Sequence, residues 1–237
     1  QGRSDRARVP HGALHVDDFD DYQRDVDAYL QPLATDRPRL AVAYSMGGLI
    51  LLHTLLRGER PARPRVDAAV LISPMWRFRT TTPEFVVGAV ARVAVSTGHA
   101  TSWAAGEQWI DPHDCTLESN MAVDDTDAFE RWQQLRLPRP DELVTGSTWG
   151  WSRAAVTAMR KLRRHDLAAL SIPITVLSSA TDRSVDPREH VRFVDRLPRA
   201  ELLRFSGRHD LLAEGGGVGD AVADTVMDRL DRLIERP

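Results

Sequence analysis

The chain has 237 residues, 42% of them apolar and 27% charged, with a formal net charge of −3. That length suits one large domain or a core carrying an inserted lobe, and the near-neutral charge leaves no electrostatic footprint for nucleic acid. One cysteine, Cys115, excludes an internal disulfide and a cysteine-based zinc cluster, and no apolar run reaches the roughly 18 residues of a membrane span.

Residues 1–6 are polar and carry no initiating Met. Asp17 or Asp18 then caps a predicted helix to about residue 30, with Phe19, Tyr22, Val26 and Tyr29 or Leu30 on one apolar face. The acids Asp17, Asp18, Asp20 and Asp21 crowd its N-terminus, where the macrodipole favours them, so a solvated helix start accounts for them better than a metal does. Pro32 and Pro38 bracket a turn into a short buried strand, 40–44. A sharp turn at Ser45 follows, and then a helix opening with Met46, Gly47 and Gly48 that is apolar on nearly every side, so it should be buried against a sheet. Gly58 ends that helix, a Pro- and Arg-rich loop follows, and 66–72 form a second buried strand. Strand, helix and strand of these lengths make a βαβ unit and imply a parallel sheet.

From 75 to 167 the pattern changes, and this stretch holds all six tryptophans. It is too long for a simple crossover and should have structure of its own. The expected organisation is an α/β core in 1–74 and 168–237 with a mainly helical cap inserted at 75–167. Trp109 and Trp132 read as residues that hold the cap to the core. Asp111, His113, Asp114 and Cys115 collect ligand types, but Pro112 and the missing spaced partner pair make this a surface turn, so no metal and no cofactor are expected. The α/β rhythm returns with a strand at 174–178, a helix opened by Asp186 and Pro187, a last strand at 201–205 and an amphipathic final helix through Val218, Val222, Val226, Leu230 and Leu233.

Ala43-Tyr44-Ser45-Met46-Gly47 fits the nucleophile-elbow pattern small-x-Ser-x-Gly, with Ala43 in place of the usual first Gly. Serine is a weak nucleophile until a base takes its proton, and the base needs an acid to fix its tautomer. In a parallel sheet these groups belong on loops at the C-terminal strand ends. Asp182 and His209 each lie four residues past a predicted strand end, and the order Ser45, Asp182, His209 is that of an α/β-hydrolase. Asp186 is explained by its helix cap, and none of the other seven histidines follows a strand end in the required order; His53 reads as packed or partly exposed.

These residues resemble the lysophospholipase and monoacylglycerol lipase branch of the α/β-hydrolases, serine aminopeptidase-like hydrolases, over essentially the whole length. The matching pieces are QGRSDR, HVDDFDDYQRDVDAYL, AYSMGG, LISPMW, NMAVDDTDAFERWQQL, GSTWGWSRAAVTAM, SSATDRSVD and FSGRHDLLAE. The elbow and the last two are hydrolase-wide, whereas DDFDDY and TWGW are specific to the branch. The resemblance implies Ser45 as nucleophile, Asp182 as acid, His209 as base and the Met46 backbone N–H as an oxyanion donor. It implies a small lipid ester as substrate, with Trp76, Phe78, Trp149 and Trp151 as first candidates for the acyl-chain lining. A cytoplasmic protein touching the inner membrane face through its cap is the matching location, and the lone thiol fits a reducing compartment.

Tyr44 stands where a His is common in the branch, and Asp210 where Glu usually follows the base. In the branch four strands and a His-Gly loop supplying the other oxyanion donor precede the segment resembling QGRSDR, so this chain is expected to be part of a longer hydrolase. Two other activities fit the same residues: a short-chain carboxylesterase or aminopeptidase-like hydrolase, and an inactive hydrolase-like binding protein.

Overall fold

The computed structural model describes residues 8–33, 37–57 and 66–235. Residues 1–6, Gly58 and the Pro- and Arg-rich loop after it lie outside the described residues. In chain order the elements are β1 (Ala13–Leu14), α1 (Phe19–Leu30), β2 (Leu40–Tyr44), α2 (Met46–Leu56), β3 (Ala68–Ile72), α3 (Glu84–Ser96), α4 (Thr126–Arg136), β4 (Gly146–Ser147), α5 (Trp149–Arg164), β5 (Ile174–Ser179), α6 (Pro187–Val194), β6 (Ala200–Phe205) and α7 (Val218–Ile234), with short 3-10 turns between some of them.

Four strands pair in the order β2-β3-β5-β6, all parallel, and β1 pairs separately with β4. The register sets Tyr44 beside Ile72 and Ser179 beside Phe205, so the C-terminal strand ends share one edge of the sheet. Parallel neighbours need crossover connections, which is why helices fill the sequence between these strands. This is the mostly parallel, helix-flanked α/β-hydrolase fold expected of the sequence.

Side-chain alternation divides the sheet between two cores. Ala69, Leu71, Ile174 and Val176 face a layer built from α1, α2, α5 and α6, with Leu49, Leu52, Met159, Leu162 and Phe193 at its centre. Val70, Ile72 and Leu177 point the other way, toward Val222 of α7. Strands covered on both faces read as unbroken apolar runs, as AAVLI of β3 does.

The strand β2 departs from that pattern. Read from sequence it is buried, but Val42 is 48% exposed and Tyr44 37%. Among the described residues β2 lies at an edge of the sheet, and while Ala41 and Ala43 pack against the first core, Val42 and Tyr44 point to the α7 side, where the second core is centred on β3 and β5. Burial on one face only is therefore hidden in a sequence that is apolar throughout.

Helix α1 begins where expected: Asp18 is extended, and its carboxylate accepts from the Asp20 N–H at 2.9 Å. Phe19 is buried, with Tyr22 and Val26 packed behind it, while Tyr29 is 72% exposed and drops out of the expected apolar face. In α2 every residue from Gly48 to Thr54 is buried, as an all-round apolar helix requires.

Between β3 and β5 the chain forms α3, α4, β4 and α5, so the stretch has the helical content expected of it. Its last helix, however, belongs to the first core. Thr148 caps α5 by accepting from the Trp151 N–H, and Trp151, Ala155, Met159 and Leu162 recur on one face that packs with α1 and α2. Helix α5 also packs along α3 of the same stretch, so it joins 75–167 to the first core. Trp109 sits against His11, at 4.4 Å between ring centroids, and Trp132 lies under the Arg136 guanidinium. Among the described residues no helix is long and apolar enough to cross a membrane.

Candidate active site

Ser45 occupies the single-residue turn between β2 and α2 with φ 49° and ψ −116°. A non-glycine residue held there costs about 1–3 kcal/mol and persists only where its surroundings over-determine it. Those surroundings are the end of β3. The Ser45 N–H donates to Ile72 O at 2.9 Å, and Ser45 O accepts from the Met75 and Gly48 N–H groups at 2.9 and 3.0 Å. The chain at 73–75 is itself turned sharply, with Ser73 buried at φ 44° and its N–H on Leu177 O. Pro74 then lies directly over Gly48.

A buried histidine braces that turn from below. His190 Nε2 is 2.8 Å from Pro74 O and Nδ1 is 2.6 Å from Ser178 Oγ. A proline carbonyl only accepts, so Nε2 carries the proton and Nδ1 accepts from the serine hydroxyl. Burial pushes the His190 pKa down, which keeps the ring neutral in this role. Sequence reading set His190 aside because it follows no strand; its position on α6, twelve residues after Ser178, carries no signal that pairs it with Pro74.

Three loops at the C-terminal edge converge above this turn. His209 Nε2 stands 2.8 Å from Ser45 Oγ, and His209 Nδ1 stands 2.8 Å from Asp182 Oδ2. The other Asp182 oxygen accepts from the Ser184 and Val185 N–H groups at 2.7 and 2.9 Å. Burial pushes the Asp182 carboxyl up, but the His209 hydrogen bond and charge, with the two amides, outweigh it and leave the pKa below the ordinary carboxylate value. An ionised Asp182 accepts from Nδ1–H, which leaves Nε2 free to accept from the serine hydroxyl, the arrangement a serine nucleophile requires. Met46 is the first residue of α2, so its N–H has no acceptor within the helix and lies beside Ser45 at the positive end of the helix dipole.

The four aromatic candidates divide. Trp76 is fully buried, stacked on Phe193 at 4.5 Å and edge-on to His190, and Trp151 is buried against Phe19 in the first core. Both side chains are taken up by packing. Phe78 is half-buried and forms a bridge to Val185, three residues past Asp182, and Trp149 is partly exposed at the start of α5. Beside His209 stands the Tyr44 ring, at 5.1 Å; Met121 and Leu212, which the sequence did not single out, are 46% and 45% exposed next to Ala122 and Leu211 of the adjoining loops. Asp186 caps α6 by accepting from the Arg188 N–H, and Asp111 caps a 3-10 turn at Pro112–Asp114, the local roles read for both. His53 is buried, with Nε2 on Ala158 O at 2.9 Å.

Residues 1–216 match the family described as serine aminopeptidase, S33. Lysophospholipase L2 of Escherichia coli (strain K12) is 25% identical over 257 aligned residues, which cover 98% of this chain and 70% of that protein. Among solved structures, a monoacylglycerol lipase from Paleococcus ferrophilus superposes with a TM-score of 0.67 at 16% identity, covering 89% of this chain and 74% of its own. A soluble variant of monoglyceride lipase from Saccharomyces cerevisiae, in complex with a substrate analogue, gives 0.68 at 16% identity, covering 92% and 70%.

Proposed function

Because the chain belongs to the serine aminopeptidase (S33) family of α/β-hydrolases, we propose that it is a serine ester hydrolase that cleaves the acyl ester of lysophospholipids or monoacylglycerols, with Ser45, His209 and Asp182 as its triad. The observation that carries this reading is the unbroken relay from Ser45 Oγ through both His209 nitrogens to Asp182, each link 2.8 Å long. The likeness to Lysophospholipase L2 and to two monoglyceride lipases supports the substrate class. The Tyr44 ring beside His209, with Met121 and Leu212 exposed on the loops that the Asp210 N–H to Ala122 O bond joins, suits an acyl chain better than a charged peptide terminus.

In this mechanism Ser45 Oγ attacks the ester carbonyl carbon while His209 Nε2 takes its proton. The carbonyl oxygen gains negative charge, which the Met46 N–H at the α2 terminus stabilises. The tetrahedral intermediate collapses as the imidazolium returns its proton to the departing glycerol oxygen, leaving the acyl group on Ser45. Water then enters, loses a proton to Nε2 and attacks the acyl-enzyme, and collapse of the second intermediate releases the fatty acid and reprotonates Ser45. Asp182 stays ionised throughout and holds the ring orientation. The cap of this reading is 75–167, and Phe78 and Trp149 are its aromatic candidates for the acyl lining.

The test is active-site labelling with a fluorophosphonate, together with turnover of long-chain monoacylglycerols and lysophospholipids against short-chain esters. Labelling lost in Ser45→Ala and faster turnover of long acyl chains are expected. A folded protein that takes no label is a binding module, and equal or better turnover of short acyl groups replaces the lipid substrate with a short-chain ester.

A further inference from the structure

The loop that carries His209 is gripped by its own flanking residues. Glu214, five residues after the histidine, is buried, and its carboxylate accepts from four backbone amides: Asp124 and Asp125 in the segment before α4, and Arg208 and Gly215 in its own loop. Those bonds run from 2.9 to 3.1 Å. Arg208, immediately before the histidine, is also buried; its guanidinium donates to Asn120 O at 2.9 Å, to Leu117 O, and to the Asp124 carboxylate at 2.7 Å. Between the two, the Asp210 N–H donates to Ala122 O at 2.8 Å. Residues 208, 210 and 214 therefore all engage residues 117–125, and His209 is the residue they bracket.

A buried charge is costly unless it is paired and hydrogen-bonded, as the Glu214 carboxylate is by amides and the Arg208 guanidinium by two carbonyls and Asp124. Glu214 spends its acceptors on amides from both sides of the junction, which makes the two backbones one unit. The close approach has a backbone requirement: Gly207 has φ +108°, and a Cβ there would come 2.5 Å from Glu214 Cγ. Among the described residues no hydrogen bond joins Arg208 or Glu214 to Ser45 or Asp182, so any effect they have on the reaction runs through the position of His209.

We infer that Glu214 and Arg208 are positioning residues that couple the 117–125 segment to His209, so that the seating of this segment sets how Nε2 stands over Ser45. The inference rests on the triad role proposed above for His209. It gives the segment ahead of α4 a second task besides covering the site: a ligand that displaces 117–125 also displaces the base.

The experiment is steady-state turnover of a long-chain monoacylglycerol by the full chain and by Glu214→Gln, in which an amide nitrogen must face backbone N–H groups. Thr175→Val serves as control, since Thr175 is buried and hydrogen-bonded to Glu201 at the start of β5, at the opposite edge of the sheet. Expected is a fall in kcat of about 10- to 100-fold with KM within about twofold, in line with the cost of a sub-ångström to 1 Å misplacement. Thr175→Val should keep its kcat at a temperature where both variants are folded. Unchanged kcat in folded Glu214→Gln overturns the inference, and so does an equal kcat loss in the control, which would mean general destabilisation. Should Glu214→Gln not fold, Asp124→Asn decides, because that exposed side chain pairs with Arg208: a several-fold lower kcat supports the coupling, and wild-type kcat overturns it. Hydrolysis that survives Ser45→Ala would instead defeat the triad reading, and it is measured in the same assay.

Discussion

A Cβ placed on Gly48 would stand 2.7 Å from Pro74 Cβ and 3.2 Å from Pro74 Cα, whereas one on Gly47 would meet only Ala43 Cβ, at 3.7 Å. The elbow pattern ends at Gly47, yet the steric demand falls one residue later. Pro74 cannot yield easily, since its carbonyl is tied to His190 and its neighbour Met75 donates to Ser45 O. Gly48→Ala should therefore cost about 1–3 kcal/mol, as overpacked sites do, and should lower turnover by displacing Ser45. Gly47→Ala should leave the melting temperature unchanged or raise it, because alanine is favoured over glycine inside a helix by about 0.5–1 kcal/mol. Thermal unfolding of the two variants side by side checks this; a Gly48→Ala protein that melts with the wild type would show that the 73–75 turn gives way freely.

Asp182 offers a sharper test of the relay than its deletion. In Asp182→Asn the side-chain oxygen is still required by the Ser184 and Val185 N–H groups, so the amide nitrogen takes the place of Oδ2 and faces His209 Nδ1. Two donors cannot share that contact. The imidazole must shift its proton to Nε2, which then points at Ser45 Oγ and cannot accept from it. The expected result is a loss of about 10⁴-fold in kcat with the fold intact by circular dichroism. A loss below tenfold would remove Asp182 from the relay.

The order Ser45, Asp182, His209 was legible because each residue follows a strand end, and strand ends of a parallel sheet converge by construction. The caps at Asp18 and Asp186 were legible because they are local. What sequence could not supply was anything that depends on which face of an element meets which neighbour. Val42 and Ala43 look alike in the sequence, but only the strand's place in the sheet exposes one and packs the other, partly buried, against the first core. Trp76 looked like a lining residue because aromatics suit both a pocket and a core, and its stacking on Phe193 brings together residues more than a hundred positions apart. The same distance separates His190 from Pro74.

His190 is predicted to matter without touching substrate. His190→Leu removes one of two donors to Pro74 O, which keeps the Trp76 N–H at 2.9 Å, and removes the acceptor for Ser178 Oγ, leaving that buried hydroxyl unpaired. One such group costs about 1–3 kcal/mol. Urea unfolding should show the midpoint falling accordingly, and turnover should fall with it because Pro74 loses its brace over the elbow. His190→Gln, which can still donate to the carbonyl, should recover part of the stability. If His190→Leu unfolds at the wild-type urea concentration, water has replaced both bonds.

His53 makes the protein sensitive to mild acid. Burial is the largest influence on this ring and pushes its pKa down to about 4, against the upward pull of its hydrogen bond to Ala158 O. The folded chain thus holds His53 neutral at a pH where an unfolded chain, with the ordinary pKa of about 6.5, binds a proton. Between those two values the unfolded state carries the extra proton, so the contribution to stability is complete above about pH 6.5 and is lost as the pH falls toward 4. At about 1.4 kcal/mol per pKa unit the ceiling is about 3 kcal/mol. His190, shifted the same way by burial, adds to the loss in this window, whereas the depressed carboxyls of Asp182 and Asp186 act only below the ordinary carboxylate range. His53→Gln keeps a donor for Ala158 O and has no proton to gain. Its melting temperature should fall less between pH 7 and pH 5 than that of the wild type, with a residual fall left by His190; identical pH profiles for the two proteins would show that His53 takes up its proton equally in the folded and unfolded states.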